Sequence, residues 1–103
     1  MLFLIVKSEK PLKILSFERH AQLLRILLIL DSEGKLNFQS FINDYSISST
    51  TLYRTLEALK EIKLVGSEID RTRYHNQNMI FLTDKGRKVA KHLKEIEEIL
   101  GGD

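Results

Sequence analysis

The sequence has 103 residues, of which 43% are hydrophobic and 29% are charged, a composition typical of one globular domain. Its longest apolar runs, Leu2 to Val6 and Ile26 to Leu30, are far shorter than the roughly 20 residues that span a bilayer, and its start lacks the features of a secretory signal. No cysteine is present, which excludes disulfides and thiolate metal sites and is compatible with a cytoplasmic protein.

The net charge of +2 is unevenly distributed along the chain. Residues 46–94 hold ten basic side chains and five acidic ones, whereas the last nine residues hold four acidic side chains and no basic one. A basic middle segment suits a polyanion such as a nucleic acid, and the acidic end indicates another role for the C-terminus. For any single lysine, a solvated surface position is the simpler interpretation.

The N-terminal extension is predicted to comprise residues 1–15, ahead of a core over residues 16–83. Its start, MLFLIVK over residues 1–7, suits a buried strand or the start of a helix. This segment is expected to pack either on its own core or against the last helix of a partner.

The first helix is predicted to run from a cap at Ser16 to about Leu30, and Gly34 marks its end. The residues expected to face the core are Phe17, Leu24, Leu27 and Leu28. Lys35 and Leu36 are predicted to form a short strand before the second helix.

Two short helices separated by a polar turn are predicted between Asn37 and Val65. Asn37 and Ser48 are expected to be their N-caps, because a side-chain oxygen can accept a hydrogen bond from an unpaired N–H group of the first turn. The first of these helices is predicted to bury Phe38, Phe41 and Ile42. The second has apolar residues at steps of four, three and three, namely Leu52, Leu56, Leu59 and Ile62. Its opposite face is polar and suits a DNA major groove, with Ser49, Thr50, Tyr53, Arg54 and Glu57.

A β-hairpin is predicted after these helices, with strands over Leu64 to Ile69 and Met79 to Thr83. The segment between them, DRTRYHNQN over residues 70–78, contains no aliphatic side chain and is therefore not expected to be buried. It offers side chains for phosphate or minor-groove contacts, namely Arg71, Arg73, His75, Asn76 and Gln77. A solvated loop without such contacts is the alternative.

The last helix is predicted to follow a cap at Thr83, to span residues 84–100, and to end at Gly101 and Gly102. Its apolar residues recur at steps of four, three and four, in a heptad-like seam of Val89, Leu93, Ile96 and Leu100. Basic side chains lie in its first turns and acidic ones in its last turns, an order that opposes the helix dipole. An antiparallel second copy would place each basic half beside an acidic half, which predicts a dimerisation helix. Packing of the seam on its own domain is the alternative.

A family resemblance lies in two segments, SISSTTLYRTLEALKEIKLVGSE over residues 46–68 and FLTDKGRKVAKHL over residues 81–93. The first resembles the recognition helix and first wing strand of winged helix-turn-helix transcription regulators. The second resembles the second wing strand and following helix of MarR-like and other small prokaryotic regulators, which often carry a Leu-Thr-x-x-Gly signature. Together the two segments cover most of Asn37 to Leu93. The glycine of the signature, Gly86, is expected to let the helix start approach its neighbours.

The resemblance implies an α+β, mostly helical fold: a winged helix-turn-helix with a β-hairpin wing and a C-terminal dimerisation helix, in a single winged-helix domain over residues 1–103. The implied function is sequence-specific binding of double-stranded DNA by a homodimeric transcriptional regulator of a prokaryote, an archaeon or one of their viruses or plasmids. The recognition helix over residues 48–62 would enter the major groove, and the wing over residues 70–78 would contact the backbone or the minor groove.

Candidate DNA-binding residues are Ser48, Ser49, Thr50, Tyr53, Arg54, Arg71, Arg73, His75 and Asn76. Candidate dimerisation residues are Val89, Leu93, Ile96 and Leu100. A winged helix that binds another protein, without binding DNA, is the alternative function. Glu57 and Glu61 on the recognition helix favour it mildly, since carboxylates repel phosphates.

Catalytic and metal-binding functions are not expected. His20, His75 and His92 lie in three separate predicted elements and lack the spacing of paired metal ligands. The sequence also contains no glycine-rich phosphate loop, nucleophile elbow or pair of catalytic carboxylates. The chain is therefore predicted to be no enzyme and to need no cofactor or metal.

Overall fold

The computed structural model describes residues 12–71 and 77–102. After a 3-10 turn at Lys13–Leu15, the helices and strands follow in the order α1 (Ser16–Arg19), α2 (Leu23–Glu33), β1 (Lys35–Asn37), α3 (Phe38–Tyr45), α4 (Ser49–Glu61), β2 (Val65–Asp70), β3 (Gln77–Leu82) and α5 (Asp84–Gly101). The strands form one antiparallel sheet in the order β1, β3, β2. The interpretation of residues 1–7 lies outside the described residues.

The prediction of one continuous first helix from Ser16 was wrong. The chain forms the 3-10 turn and α1, becomes extended at His20 with φ −125° and ψ 108°, and starts α2 only at Leu23. Ser16 lies within α1 and is not its N-cap. Because this break changes the helical phase, Leu24 is 44% exposed, and the core-facing residues of α2 are Leu23, Ile26, Leu27, Ile29 and Leu30. Gly34, with a φ of +84°, ends α2 as predicted.

The helix-turn-helix forms through the two predicted caps. The Asn37 side chain accepts a hydrogen bond from the Ser40 N–H group at 2.7 Å, and the Ser48 hydroxyl accepts one from the Thr51 N–H group at 3.3 Å. Between the helices, Ser46 adopts a left-handed conformation with a φ of +57°, which ends α3, and Ile47 is buried. The turn is therefore stabilised by the Ser46 C-cap, by the Ser48 N-cap and by burial of Ile47 between them.

The sheet carries one buried face because side chains alternate along each strand. Its inward residues include Leu36, Val65, Ile80 and Leu82. The strands are longer toward the hairpin than predicted, since β2 reaches Asp70 and β3 begins at Gln77. Both residues were assigned to the wing, but they form a register pair in the sheet.

The core lies between the inner sheet face and helices α2 to α5. Helix α4 contributes its predicted face, with Leu52, Leu56 and Leu59 buried and Ile62 packed against them. Removing each such side chain from water contributes roughly 1.5–3 kcal/mol, which fixes the rotation of α4 about its axis. Among the described residues, no helix combines the length and apolar character that a membrane span requires.

The Leu-Thr-x-x-Gly segment forms a tight joint between the end of α4 and the start of α5. The Thr83 hydroxyl accepts a hydrogen bond from the Gly86 N–H group at 3.0 Å and donates one to the Lys63 carbonyl at 2.7 Å. The Thr83 N–H group donates to the Leu64 carbonyl at 3.0 Å. A Cβ atom on Gly86 would overlap that same Leu64 carbonyl oxygen, so the close approach expected of this glycine is confirmed. The two helix ends therefore have little freedom to move independently.

Candidate nucleic-acid interface

The first turns of α4 present a polar surface to solvent. Ser48, Ser49, Thr50 and Arg54 are exposed, and Tyr53 is 60% exposed. Helical periodicity brings these side chains to one side because the opposite side is anchored in the core by Leu52 and Leu56. The N-cap Ser48 and the four α4 residues predicted to bind DNA therefore lie together at the exposed N-terminal end of this helix.

This surface continues onto the start of α3. A shallow cavity there is lined by Phe38, Ser49, Thr50, Tyr53 and Arg54. Phe38 was expected only as a core residue, yet it also lines this cavity, together with residues of α4 that carry hydroxyl groups. Hydroxyls can donate or accept hydrogen bonds, and a guanidinium can donate two parallel ones, so the cavity has the chemistry that base edges or phosphates require.

The second half of α4 has mixed charge. A second surface cavity is lined by Arg54, Glu57, Lys60 and Glu61 of this helix and by His20. His20 reaches this position because the chain is extended after α1, a placement that the prediction of a continuous helix could not provide. The two carboxylates oppose close approach of phosphates, so the DNA-compatible part of α4 is its N-terminal half.

The base of the wing is tied to the helix-turn-helix by one side-chain pair. The Asn37 amide nitrogen donates a hydrogen bond to the Gln77 amide oxygen at 3.1 Å, while the Asn37 oxygen caps α3. One asparagine thus connects the start of α3 with the first residue of β3. Gln77 was predicted to point toward DNA, but its side-chain oxygen is engaged within the domain.

Strand β2 of the hairpin carries acidic side chains, Glu68 and Asp70, and is followed by Arg71. Glu68 pairs with Lys35 across the sheet, and the hydrogen bond and charge of Glu68 raise the pKa of the Lys35 ammonium above its ordinary value. Arg71 is exposed directly after β2. The candidate contacts Arg73, His75 and Asn76 lie outside the described residues.

The predicted dimerisation residues separate into two groups. Val89 and Leu93 are partly buried and pack against their own core, as the alternative interpretation of the seam expected. Ile96 is 50% exposed and Leu100 is 74% exposed, on the part of α5 that extends past the core. The neighbouring Ile99, which the seam omitted, is 77% exposed.

A metal centre is not found in the part of the chain that the structure describes, where no group of three or more potential His, Asp or Glu ligands comes together. His92 instead contacts Glu95 at 2.9 Å, on the exposed side of α5.

Neither a protein-family model nor a curated protein matches the sequence. Solved structures do match it. A structure of Lactococcus lactis ZitR in its apo form has a TM-score of 0.68 at 23% identity, covering 84% of this chain and 67% of the ZitR chain. The chain spans 59% of a second ZitR structure.

Two archaeal structures match over nearly their whole length. A protein from Archaeoglobus fulgidus has a TM-score of 0.68 at 21% identity, covering 87% of this chain and 99% of the other. A transcriptional regulator homologue from Pyrococcus horikoshii has a TM-score of 0.66 at 22% identity, covering 98% and 97%. The predicted fold is thereby confirmed: the chain has the winged helix-turn-helix fold found in transcriptional regulators.

Proposed function

We propose that this protein is a sequence-specific, double-stranded-DNA-binding transcriptional regulator that acts as a homodimer, with α4 as its recognition helix. The observation that carries the proposal is the surface formed by the first turns of α4, where hydroxyls, Tyr53 and Arg54 project from a helix whose other side is locked into the core. A helix held in this way can enter a major groove about 12 Å wide. The names of the structural neighbours as transcriptional regulators support this function.

Within this surface, Arg54 is the residue assigned to read a base. Its guanidinium can donate two parallel hydrogen bonds to guanine. Ser49, Thr50 and Tyr53 supply hydroxyls to neighbouring bases or phosphates. Ser48 caps α4 through its oxygen, so its hydroxyl hydrogen remains able to donate to a phosphate.

The wing is assigned to the DNA backbone or minor groove through Arg71, Arg73, His75 and Asn76. This assignment comes from their sequence and from the position of the hairpin after the recognition helix. The pairing of Glu68 with Lys35 offsets one of the acidic charges on the strands that lead to the wing.

Replacement of Arg54 tests the assignment of the recognition surface. In a salt-dependent shift assay on a cognate duplex selected from random or genomic DNA, Arg54→Ala is expected to weaken specific binding by about 1–3 kcal/mol. Its thermal stability should change little, because Arg54 is exposed. Lys60→Ala is the matched control, since it removes another exposed cation from the same helix and should have a smaller effect. Equal affinities of wild type and Arg54→Ala for the cognate site would contradict the assignment.

The alternative function is binding of another protein through the same helix. Glu57 and Glu61, exposed beside Arg54, favour it because their carboxylates repel phosphates. The shift assay distinguishes the two functions: absence of binding to any duplex even at low salt would favour the protein-binding module, since a DNA-binding protein retains non-specific electrostatic affinity there.

A further inference from the structure

The shallow cavity between α3 and α4, which we call the Phe38 cavity, combines aromatic residues with polar ones. It has a volume of about 380 Å³ and is lined by Phe38, Ser49, Thr50, Tyr53 and Arg54. The proposed function assigns the hydroxyl groups and the guanidinium to bases or phosphates. It gives no role to the phenyl ring of Phe38, which can neither donate nor accept a conventional hydrogen bond.

Phe38 is held in place by the residues around it. The preceding residue, Asn37, caps α3 through a hydrogen bond from the Ser40 N–H group at 2.7 Å and donates one to Gln77 at 3.1 Å. Phe38 itself is partly buried and packs against the hydrophobic core. On the other side of the cavity, α4 is anchored in the core through Leu52. A ligand can therefore enter the Phe38 cavity without a large loss of side-chain freedom.

The DNA major groove offers one apolar group on its base edges, the 5-methyl group of thymine. Adenine, guanine and cytosine present hydrogen-bond donors and acceptors there, and contact with a phenyl ring would remove these groups from water without replacing their hydrogen bonds. A partly buried Phe38 beside a helix in the groove thus favours thymine over the other bases. Tyr53, which is 60% exposed, supplies a second aromatic ring to the same cavity.

We infer that the Phe38 cavity receives the 5-methyl group of a thymine, so that Phe38 is a specificity-determining residue. The inference rests on the proposed function and extends its recognition surface from α4 to the start of α3. The charge of Arg54 favours DNA as the occupant, because it complements the phosphates around the groove. The hydroxyls of Ser49 and Thr50 can donate a hydrogen bond to O4, the acceptor that thymine presents beside its methyl group.

The spacing along α4 predicts where this thymine lies. Thr50 and Arg54 are four residues apart, which corresponds to roughly 6 Å along the helix axis. Successive base pairs of a duplex are about 3.4 Å apart. For a recognition helix lying along the groove, the thymine is therefore expected within two base pairs of the guanine assigned to Arg54.

Replacement of single thymines by deoxyuridine tests the inference, because uracil differs from thymine only by the missing methyl group. The DNA is the cognate duplex selected for the shift assay, and the guanine is located as the position where Arg54→Ala loses its base preference. At one thymine within two base pairs of it, deoxyuridine should weaken wild-type binding roughly three- to tenfold, as expected for one buried methyl group. Equal affinities after replacement of every such thymine, or no thymine within this distance, would overturn the inference.

Variants of the two aromatic residues test whether the methyl group lies in the cavity. In Phe38→Ala and in Tyr53→Ala, the ratio of the affinities for the thymine and uracil duplexes should fall toward one. Tyr53→Phe retains the ring and should retain the ratio. Phe81→Ala is the matched control for Phe38, because Phe81 is also partly buried and does not line the cavity. An unchanged ratio in Phe38→Ala, or in the exposed Tyr53→Ala should Phe38→Ala fail to fold, would overturn the inference.

The same measurements separate this inference from the proposed function. Absence of binding to any duplex would overturn both. Sequence-specific binding with equal affinities for the thymine and uracil duplexes would overturn only the inference. A loss of affinity in Phe38→Ala that is equal for both duplexes would also overturn it, since Phe38 would then pack against the sugar-phosphate backbone.

Discussion

Single residues connect the end of α4 with the start of α5. The Thr83 hydroxyl joins the Lys63 carbonyl at the end of α4 to the Gly86 N–H group in the first turn of α5. Gly86 allows the helix start to contact the Leu64 backbone. The Leu-Thr-x-x-Gly segment thus acts as a structural joint, and a substitution within it changes packing and hydrogen bonding together.

Addition of one methyl group at this joint should therefore destabilise the folded state. Gly86→Ala is expected to lower the free energy of unfolding by about 2–3 kcal/mol, because the new Cβ overlaps a backbone oxygen that cannot rotate away. Urea denaturation followed by circular dichroism measures the change. Gly101→Ala in the same helix is the control, since its new Cβ would come no closer than 3.7 Å to the Glu97 side chain, and it should be neutral or slightly stabilising. If the two variants were equally stable, the close contact between Gly86 and the Leu64 backbone would not be important for stability.

A second residue-scale contact joins the ends of α2 and α3. The Tyr45 hydroxyl donates a hydrogen bond to the Glu33 carboxylate, and this bond, followed by burial and the charge of Glu33, raises the pKa of the Tyr45 phenol above its ordinary value of 10.0. Because the folded state favours the neutral phenol, the contribution to stability is present below pH 10.0 and is lost as the pH rises through the folded-state pKa.

Glu33→Gln should lower the pKa of Tyr45 toward its ordinary value, since it removes the charged acceptor. Carbon-13 NMR of the tyrosine ring across the alkaline range would follow this titration residue by residue. A Tyr45 pKa that does not change in Glu33→Gln would show that the hydrogen bond is not its main cause.

At the scale of elements, the hairpin is the second surface that the proposed function assigns to DNA. The Asn37–Gln77 hydrogen bond joins the first residue of β3 to the start of α3, so the base of the hairpin is fixed to the helix-turn-helix. Contacts by the wing to phosphates would add affinity without adding sequence preference.

Removal of both wing arginines tests this role. The double variant Arg71→Ala, Arg73→Ala should bind all duplexes more weakly. The slope of log affinity against log salt should become flatter by up to about 2 units, because binding releases about one counterion fewer from the DNA for each phosphate contact that is lost. Lys91→Ala on α5 is the control and should leave the slope nearly unchanged. A slope equal to that of the wild type would mean that the wing does not contact phosphates.

At the scale of the whole molecule, the proposed homodimer would decide how two copies of α4 meet DNA. An antiparallel pair of α5 helices would hold two copies of α4 in fixed positions, because the Thr83 joint connects α5 to the end of α4 within each copy. A twofold dimer of this kind suits two half-sites separated by about 34 Å, one turn of the duplex.

A monomeric variant should therefore lose its preference for paired half-sites. Ile99→Glu is better suited than Leu93→Glu for this test, because Ile99 is 77% exposed whereas Leu93 packs against its own core. Binding to duplexes with one or two half-sites, compared by fluorescence anisotropy, should show equal weak affinity for the variant and a clear preference only for the wild type. Retention of the preference by a monomer would require another source of the half-site selectivity.

Local chemistry in the sequence determined much of the fold and of the candidate interface. The caps at Asn37, Ser48 and Thr83 were predicted because a short polar side chain satisfies first-turn N–H groups wherever a helix begins. The rotation of α4 was also predicted, since a polar face and an apolar face differ sharply in its sequence. These features depend on residues only a few positions apart, so local spacing is sufficient to find them.

Only the tertiary structure decided the features that depend on distant residues. Seven of the eight residues from Leu23 to Leu30 are apolar, so their pattern could not identify the core face of α2 or reveal the break at His20. The heptad-like seam likewise could not show that Val89 and Leu93 pack on their own core while Ile96 and Leu100 remain exposed. In both cases the apolar spacing fits more than one packing partner, and the contacts that select one lie far away in the sequence.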